Sequence, residues 1–511
     1  MLLSRRWCSV ERRKQNVTVR VFLLTLALLQ AAQWAVAEEP QTTQRETQLL
    51  EIIDRMQRQI DVLEERMKSL ESREEEAPTS QPATTATENP EAPDKAEEPG
   101  KPDTKESPDT SSDTPEKPRF IARWRDRLHL STEDGAFEMK IGGRLFIDGV
   151  WQTQSADLGR VLGPLEDGAE FRRARIHIGG TVYDNVFFLA MYDFAGGDAD
   201  FNDVYVGIKD IPYVGRIKIG HVTEPFGMEE LTYNKFTSFM ERSLTSVFVP
   251  GYNTGVMAYN TAFDDRMTWA VGVFRDTDAF GNGRSDGGYN LTARVTGLPW
   301  RSSTGHNLLH LGAAFSYRHP KESVGFSARP ESHLMPEPII GIGPWDAQQL
   351  GLYGLETALA VGPFILQSEY MGAHVDWEQG GQDYFNSFYV AGTCFLTGDH
   401  RSYDPTEGIF SRTRPKRNFA FRGEKGWGAW ELGLRYSYVD LNEFLLYRYD
   451  TPDLSWYWRG GELQDITVGL NWQLNPNARV MMNYIRAFVD HPAIRGNANA
   501  DIFQMRFQVD F

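Results

Sequence analysis

The chain ends Ile502-Phe503-Gln504-Met505-Arg506-Phe507-Gln508-Val509-Asp510-Phe511, and this stretch decides the fold. Phe503, Met505, Phe507, Val509 and Phe511 share one parity; Gln504, Arg506, Gln508 and Asp510 share the other. Side chains in a strand alternate faces, so a two-residue period gives one greasy and one wet surface. The alternation runs longer than the five or six residues of an ordinary strand. It fits a strand crossing a bilayer at a tilt. A terminal Phe511 closing such a strand matches the carboxy-terminal signature of barrels inserted by the outer-membrane assembly machinery, which is the expected partner.

The same pattern recurs upstream. Phe137, Met139, Ile141, Leu145 and Ile147 oppose Glu138, Lys140, Arg144 and Asp148. Trp430, Leu432, Leu434, Tyr436 and Tyr438 oppose Glu431, Arg435 and Ser437, and Ile466 to Leu474 repeats the scheme. About sixteen such segments start near 136, 171, 185, 200, 215, 254, 266, 288, 306, 348, 362, 381, 427, 462, 478 and 499. An even count puts both ends on the periplasmic side, where barrels have short turns. Asp184-Asn185, Phe263-Asp264-Asp265, Val361-Gly362-Pro363 and Asn475-Pro476-Asn477 are short and fall there. The connections 154–170, 223–253, 276–288, 318–347, 440–461 and 490–498 are longer and fall outside. Residues 396–426 break the rule: they are long yet periplasmic, either an overlooked hairpin or an elaborate turn.

Bulk properties agree with a barrel. Mean hydropathy is −0.45 over 511 residues, and no apolar run approaches the ~20 residues a spanning helix needs. Aromatic residues make up 12%, with 20 Tyr and 13 Trp, as aromatic girdles require. The expected fold is therefore all-β: a 16-stranded antiparallel transmembrane β-barrel in the outer membrane, residues 119–511, facing the lipid bilayer.

The segments before it read differently. Residues 1–37 form a signal peptide, with Arg5, Arg6, Arg12, Arg13, Lys14 and Arg20, an apolar core Val21–Ala32, and Ala35-Val36-Ala37 for cleavage. Cys8 goes with it, leaving Cys394 alone, which excludes an intrachain disulfide or a cysteine metal site. Residues 38–75 carry heptads: Ile53, Ile60 and Met67 interleave with Leu49, Met56, Leu63 and Leu70. A lone helix would leave that stripe wet, so a short periplasmic α-helical coiled coil is expected. Residues 76–118, rich in Pro, Thr, Ser and acidic side chains, cannot bury a core and form a disordered linker, spanning on the order of 100 Å when extended. Most of the formal charge of −17 lies in the coil and linker.

The ordered motifs identify the barrel as resembling the phosphate-selective porins of the O and P type. The matching stretches are Phe171-Arg-Arg-Ala-Arg-Ile176, Asp203-Val-Tyr-Val-Gly207, Glu224-Pro-Phe-Gly-Met-Glu-Glu-Leu231, Phe239-Met-Glu-Arg-Ser-Leu244, Leu311-Gly-Ala-Ala-Phe-Ser316, Gly469-Leu-Asn-Trp-Gln-Leu-Asn-Pro476 and Arg506-Phe-Gln-Val-Asp-Phe511. They cover nearly all of 136–511; the coiled coil and linker lie outside the match. The resemblance implies a homotrimer, one outer loop folded into the lumen, and an arginine-lined path for small anions such as phosphate or polyphosphate.

Alternation sends Arg144, Arg173, Arg175 and Arg435 to the lumen face, where permanently charged, forked guanidinium groups suit phosphate oxygens. Arg172 has lipid-facing parity but begins its strand, where it can turn inward; the Phe-Arg-Arg motif implies that both Arg172 and Arg173 serve the anion path. The third outer loop, 223–253, is the constriction candidate. It brings Lys235 and Arg242, but also Glu224, Glu229, Glu230 and Glu241. A salt bridge to a lumen carboxylate is the competing role for every one of these cations.

No enzyme is expected. His177 and His221 have no matching nucleophile, and His306, His310, His319 and His333 fit no metal-ligand spacing. No cofactor and no nucleic-acid partner is expected. The alternative function is a general small-solute porin whose coiled coil tethers the outer membrane to peptidoglycan.

Overall fold

A computed structural model of the protein divides the chain into two units, Met1–Ser111 and Ser112–Phe511. It describes residues 119–511 apart from 336–337, 379, 424–425, 443–459, 495 and 497. The signal peptide, coiled coil and linker expected over 1–118 lie outside the described residues.

The described chain enters as a hairpin of β1 (Phe120–Trp124) and β2 (Leu128–Thr132). It continues through β3 (Phe137–Gln154), β4 (Gly168–Val182), β5 (Val186–Asp193), β6 (Asp200–Ile211), β7 (Gly215–Thr223), β8 (Tyr252–Ala262), β9 (Met267–Arg275), β10 (Tyr289–Arg301) and β11 (Leu308–Arg318). After a small hairpin of β12 (Val324–Ala328) and β13 (Ile340–Trp345) come β14 (Ala347–Val361), β15 (Phe364–Trp377) and β16 (Gln382–Phe395). A second small hairpin, β17 (Arg401–Asp404) and β18 (Ile409–Thr413), precedes β19 (Ala429–Asp440), β20 (Glu462–Asn475), β21 (Ala478–Asp490) and β22 (Ala498–Asp510).

Among the described residues, sixteen of these strands close into one antiparallel barrel: β3 to β11, β14 to β16 and β19 to β22. Closure is between β22 and β3, with Phe503 opposite Trp151 and Arg506 opposite Asp148. The lower part of the same β3 edge pairs with β2, Leu130 facing Met139. All sixteen strand starts fall within a few residues of those read from alternation. Phe511 locks the seam: its carbonyl accepts from Gly143 N at 2.7 Å and its amide donates to Gly143 O at 3.0 Å.

Burial is inverted relative to a water-soluble protein. Leu145, Ile147, Phe503 and Phe507 are exposed on the outer wall, whereas Arg144, Asp148, Gln504 and Arg506 are buried within. Lipid, not water, covers the outer face, so apolar residues stand there. Exposed aromatics sit near both rims: Tyr183, Tyr213, Phe263 and Phe364 at the periplasmic turns, and Phe171, Tyr289 and Tyr384 at the other end. The periplasmic turns are tight. Tyr183 and Asp184 both adopt left-handed φ (47° and 65°), the turn geometry that matches strand twist.

The core lies inside the barrel, and three segments build it. The outer loop 224–251 crosses the lumen, carrying α1 (Met228–Leu231) and a 3-10 turn over Leu244–Phe248. The outer loop 319–346 also dips in, burying Met335, Ile339, Ile340 and Ile342 against Phe226, Phe248 and Trp377. The periplasmic connection 396–428 enters from the opposite mouth and buries Ile409 and Phe410. This is the connection that broke the loop-length rule. It is long because it is a plug, with β17 and β18 as the overlooked hairpin. One inward loop was expected; loop tertiary placement carries no periodic signature, so the other two went unread.

Candidate functional site

The outer loop 224–251 is fastened to the far wall by carboxylates. Glu369 on β15 accepts from the amides of Met228 and Glu229, both at 2.8 Å, satisfying two orphan donors of α1. Glu224, at the loop's root, accepts from Asn253 at 2.7 Å and Arg318 at 3.0 Å. Glu431 accepts from Ser238 at 2.7 Å. Facing glycines Gly433 and Gly469 leave a slot for Phe239; a Cβ at Gly433 would stand 3.0 Å from its ring.

Glu369 and Glu431 hold the loop to β15 and β19 and Glu224 holds its root to β8 and β11, while space is left inside the wall of β3 to β10. That space is a cavity lined by Arg144, Arg175, Lys218, Tyr233, Arg242 and Glu407. A second cavity opens on the outer side of the loop, lined by Arg172, Glu241, Arg242, Arg329 and His333. Arg242 borders both.

A bulge sets the upper part of this path. Phe146 pairs with Arg173 and Ile147 with Phe171, so Arg172 is the extra residue on β4. The bulge shifts parity: Phe171 goes to the lipid face and Arg172 turns inward, against strict alternation. Arg172 meets Glu241 through two parallel bonds of 2.9 and 2.8 Å. Burial would raise the Glu241 carboxyl, but Arg172, Arg506 and Arg173 hold it well below the usual carboxylate range.

Below it, cations outnumber carboxylates. Arg144 and Arg175 stand directly opposite each other on β3 and β4. Arg175 bonds to Asp193 at 2.7 Å, and Arg173 lies 3.6 Å from the same carboxylate. Arg144 instead donates to Asn234 Oδ1 at 2.7 Å and, among the described residues, has no carboxylate within 4 Å. Lys218 sits over the rings of Tyr205 and Tyr259, 5.1 and 5.4 Å from their centroids. Like charges facing across strands destabilise a sheet, and here Arg144, Arg173 and Arg175 stand around the one carboxylate Asp193 among the described residues.

The remaining candidates lie elsewhere. Arg435 bonds to Glu331 at 3.0 Å and Glu229 at 2.9 Å, donates to Glu241 O at 3.0 Å, and stacks over Phe239 at 4.4 Å. It is fully buried. Lys235 pairs with Asp510 at 3.1 Å beneath the loop, and burial pushes its ammonium down to about 8, with Asp510 opposing. Arg242 bonds to Glu230 at 3.0 Å and borders both cavities.

The sequence reading overlooked three cations that border the cavities, Lys218, Arg294 and Arg329, and Arg216, which lies 3.9 Å from the cavity-lining Glu407. Arg216 and Lys218 alternate with Ile217 and Ile219 on β7, so the parity argument would have found them. Arg329 lies in an aperiodic loop and left no signal. The histidines take structural contacts: His333 with Glu170 at 2.8 Å, His221 with Asn202 O at 2.8 Å, His310 with Tyr403 at 2.7 Å. Among the described residues, no group of three His, Cys, Asp or Glu is arranged to hold a metal.

Comparison with known proteins follows the same line. The family model described as phosphate-selective porin O and P matches residues 153–511. Porin O of Pseudomonas aeruginosa is 25% identical over 435 residues, covering 78% of this chain and 94% of that protein. An uncharacterized protein of Caulobacter vibrioides is 28% identical, over 73% of each chain. Among solved structures, the chain is similar to an anion-selective porin from Comamonas acidovorans, with 12% identity, a TM-score of 0.47, and coverage of 73% of this chain and 100% of that one.

Proposed function

The chain belongs to the phosphate-selective porin O and P family, an outer-membrane channel rather than an enzyme, and from that premise we propose that it conducts small anions, phosphate or polyphosphate foremost, through its basic lumen path. The supporting observation is the excess of cations along the open side: Arg144, Arg173, Arg175 and Lys218 are served at ion-pair distance by Asp193 alone among the described residues.

An anion entering from outside meets Arg329 and Arg172, passes Arg242, and reaches Arg144, Arg175 and Lys218. Each cation about 4 Å from a unit negative charge contributes ~4 kcal/mol at an effective dielectric of about 20. A dianion gains about twice what chloride gains, which favours phosphate. Two basic clusters in series permit entry and exit without trapping.

The reading extends to assembly as a homotrimer and to uptake of the Phe511-terminated strand by the outer-membrane assembly machinery. Planar-bilayer recording tests its centre: an anion-selective reversal potential in a potassium chloride gradient, with chloride current partly blocked by added phosphate, is expected. A cation-selective reversal potential would overturn it.

A further inference from the structure

The periplasmic plug brings a carboxylate of its own into the basic cavity. Glu407 sits at the tip between β17 and β18, and its backbone is held firmly. Arg294 donates to Glu407 O at 3.1 Å and to Gly408 O at 2.8 Å. Tyr403 reaches His310 Nδ1 at 2.7 Å. Thr406 N and Oγ1 donate to Asp404 at 3.0 and 2.7 Å. Gly408, at φ 65°, lets the tip lie against the wall; a Cβ there would stand 2.8 Å from Thr296 Oγ1.

The side chain is loose by comparison. Its carboxylate lies 3.9 Å from Arg216 Nη1, beyond hydrogen-bond distance, and the side chain is 48% exposed within the lumen. The other cavity-lining glutamate, Glu230, is held by Arg242 at 3.0 Å. Glu331 accepts from Arg435, Ser437 and Thr467, and Glu369 from two amides and a tyrosine. A carboxylate with a fixed backbone and, among the described residues, no side-chain hydrogen bond, facing Arg216 at 3.9 Å and near Lys218, resembles a bound ligand on a leash rather than a structural pin.

We propose that Glu407 is a tethered counter-anion that occupies the basic cavity between translocation events and must be displaced by each solute anion. The inference rests on the anion-pore reading above. A tethered competitor acts at millimolar or higher effective concentration and cannot diffuse away. It weakens the cavity for every anion, so a single basic cluster does not hold phosphate permanently. The same competitor must leave for every anion, so it lowers all apparent affinities by one factor and leaves the ratio between anions to Coulombic attraction, where a phosphate dianion brings a second charge.

The test uses the full-length protein in planar bilayers, with inorganic phosphate as blocker of the chloride current, and compares the wild type with Glu407→Gln, Glu407→Asp and Glu407→Lys. Removing the competitor should lower the half-blocking phosphate concentration, measured at low chloride, about fivefold in Glu407→Gln and raise chloride conductance. Glu407→Lys should go further in the same direction, and Glu407→Asp, with a shorter reach, should fall between wild type and Gln. Heat-modifiable electrophoretic mobility checks that each barrel has formed; if one variant fails it, the others still order the series. An anion-selective wild type whose variants block at the same phosphate concentration overturns the tethered-anion role and leaves the pore reading standing. A cation-selective wild type overturns both.

Discussion

Arg435 and Arg175 occupy equivalent positions, each on the lumen face of a barrel strand, yet they stand in opposite surroundings. Arg435, on the packed wall, meets Glu331 and Glu229 and is capped by Phe239. Arg175, on the open wall, shares Asp193 with Arg173 and faces Arg144, which among the described residues has no carboxylate partner. The difference teaches that residue type and facing direction do not assign a role in this lumen. The local ratio of carboxylates to cations does. Where it reaches one, arginines pin the inward loops; where it falls below one, cations are left over, and these are the ones the anion-pore proposal uses.

The sharpest way to break that contrast is to remove a rivet. Arg435→Ala leaves Glu331 and Glu229 buried without their cation, and losing one partner of a buried pair costs about 3–5 kcal/mol. The loop 224–251 should undock while the barrel wall still closes, because wall hydrogen bonds do not depend on it. Limited proteolysis should cut the loop, and single-channel conductance should rise and become noisy. Unchanged protection of the loop, with altered ion selectivity instead, would show that Arg435 serves the path.

The matching change on the open side is Arg144→Gln. It removes a like-charge contact with Arg175, so thermal stability should hold or rise slightly. Phosphate block should weaken by about tenfold, the equivalent of ~1.4 kcal/mol, measured as the half-blocking concentration. A stability loss of the size expected for Arg435→Ala would erase the distinction between the walls.

How much of this was legible beforehand follows from where the information lies. The sixteen strands could be read because lipid imposes a two-residue period on every spanning segment, as in Phe503 to Phe511 and Leu145 to Ile147. Arg172 could be only half read. Alternation sent it to lipid, and the bulge that turns it inward depends on register with β3. The pairing state of the arginines was not readable. Arg435 and Glu331 are 104 positions apart, and Arg506 and Asp148 are 358 apart. Such partners meet only when the barrel closes and the loops fold in. The plug formed by 396–428 announced itself through a violated length rule, but its direction did not.

Lys235 offers a smaller test, on the underside of the loop. Burial holds its ammonium at about 8 in the docked state, against about 10.4 in water. The released loop therefore binds more protons than the docked loop between about pH 8 and 10.4, so docking strengthens as pH rises through that window. Hydrogen exchange around Phe236 should slow from pH 8 to 10, after correction for intrinsic rates. Lys235→Met should abolish the trend and give the stronger docking already at pH 7. A trend that survives the substitution would assign it to another group.

The smallest effect belongs to the outer rim. Arg329 lines the outer cavity in loop 319–346, and it donates to Met335 O at 3.0 Å, a backbone contact that does not neutralise it. Its charge acts on approaching anions across solvent, where screening sets the range. The Debye length is about 10 Å at 0.1 M salt and about 3 Å at 1 M. Arg329→Gln should therefore lower the phosphate association rate by no more than about threefold at 0.1 M salt, with no effect at 1 M. The dissociation rate should not change, because the inner cations Arg144, Arg175 and Lys218 are intact. If the loss persists at 1 M salt, Arg329 touches the anion directly, and the landing surface begins at the rim rather than below the loop.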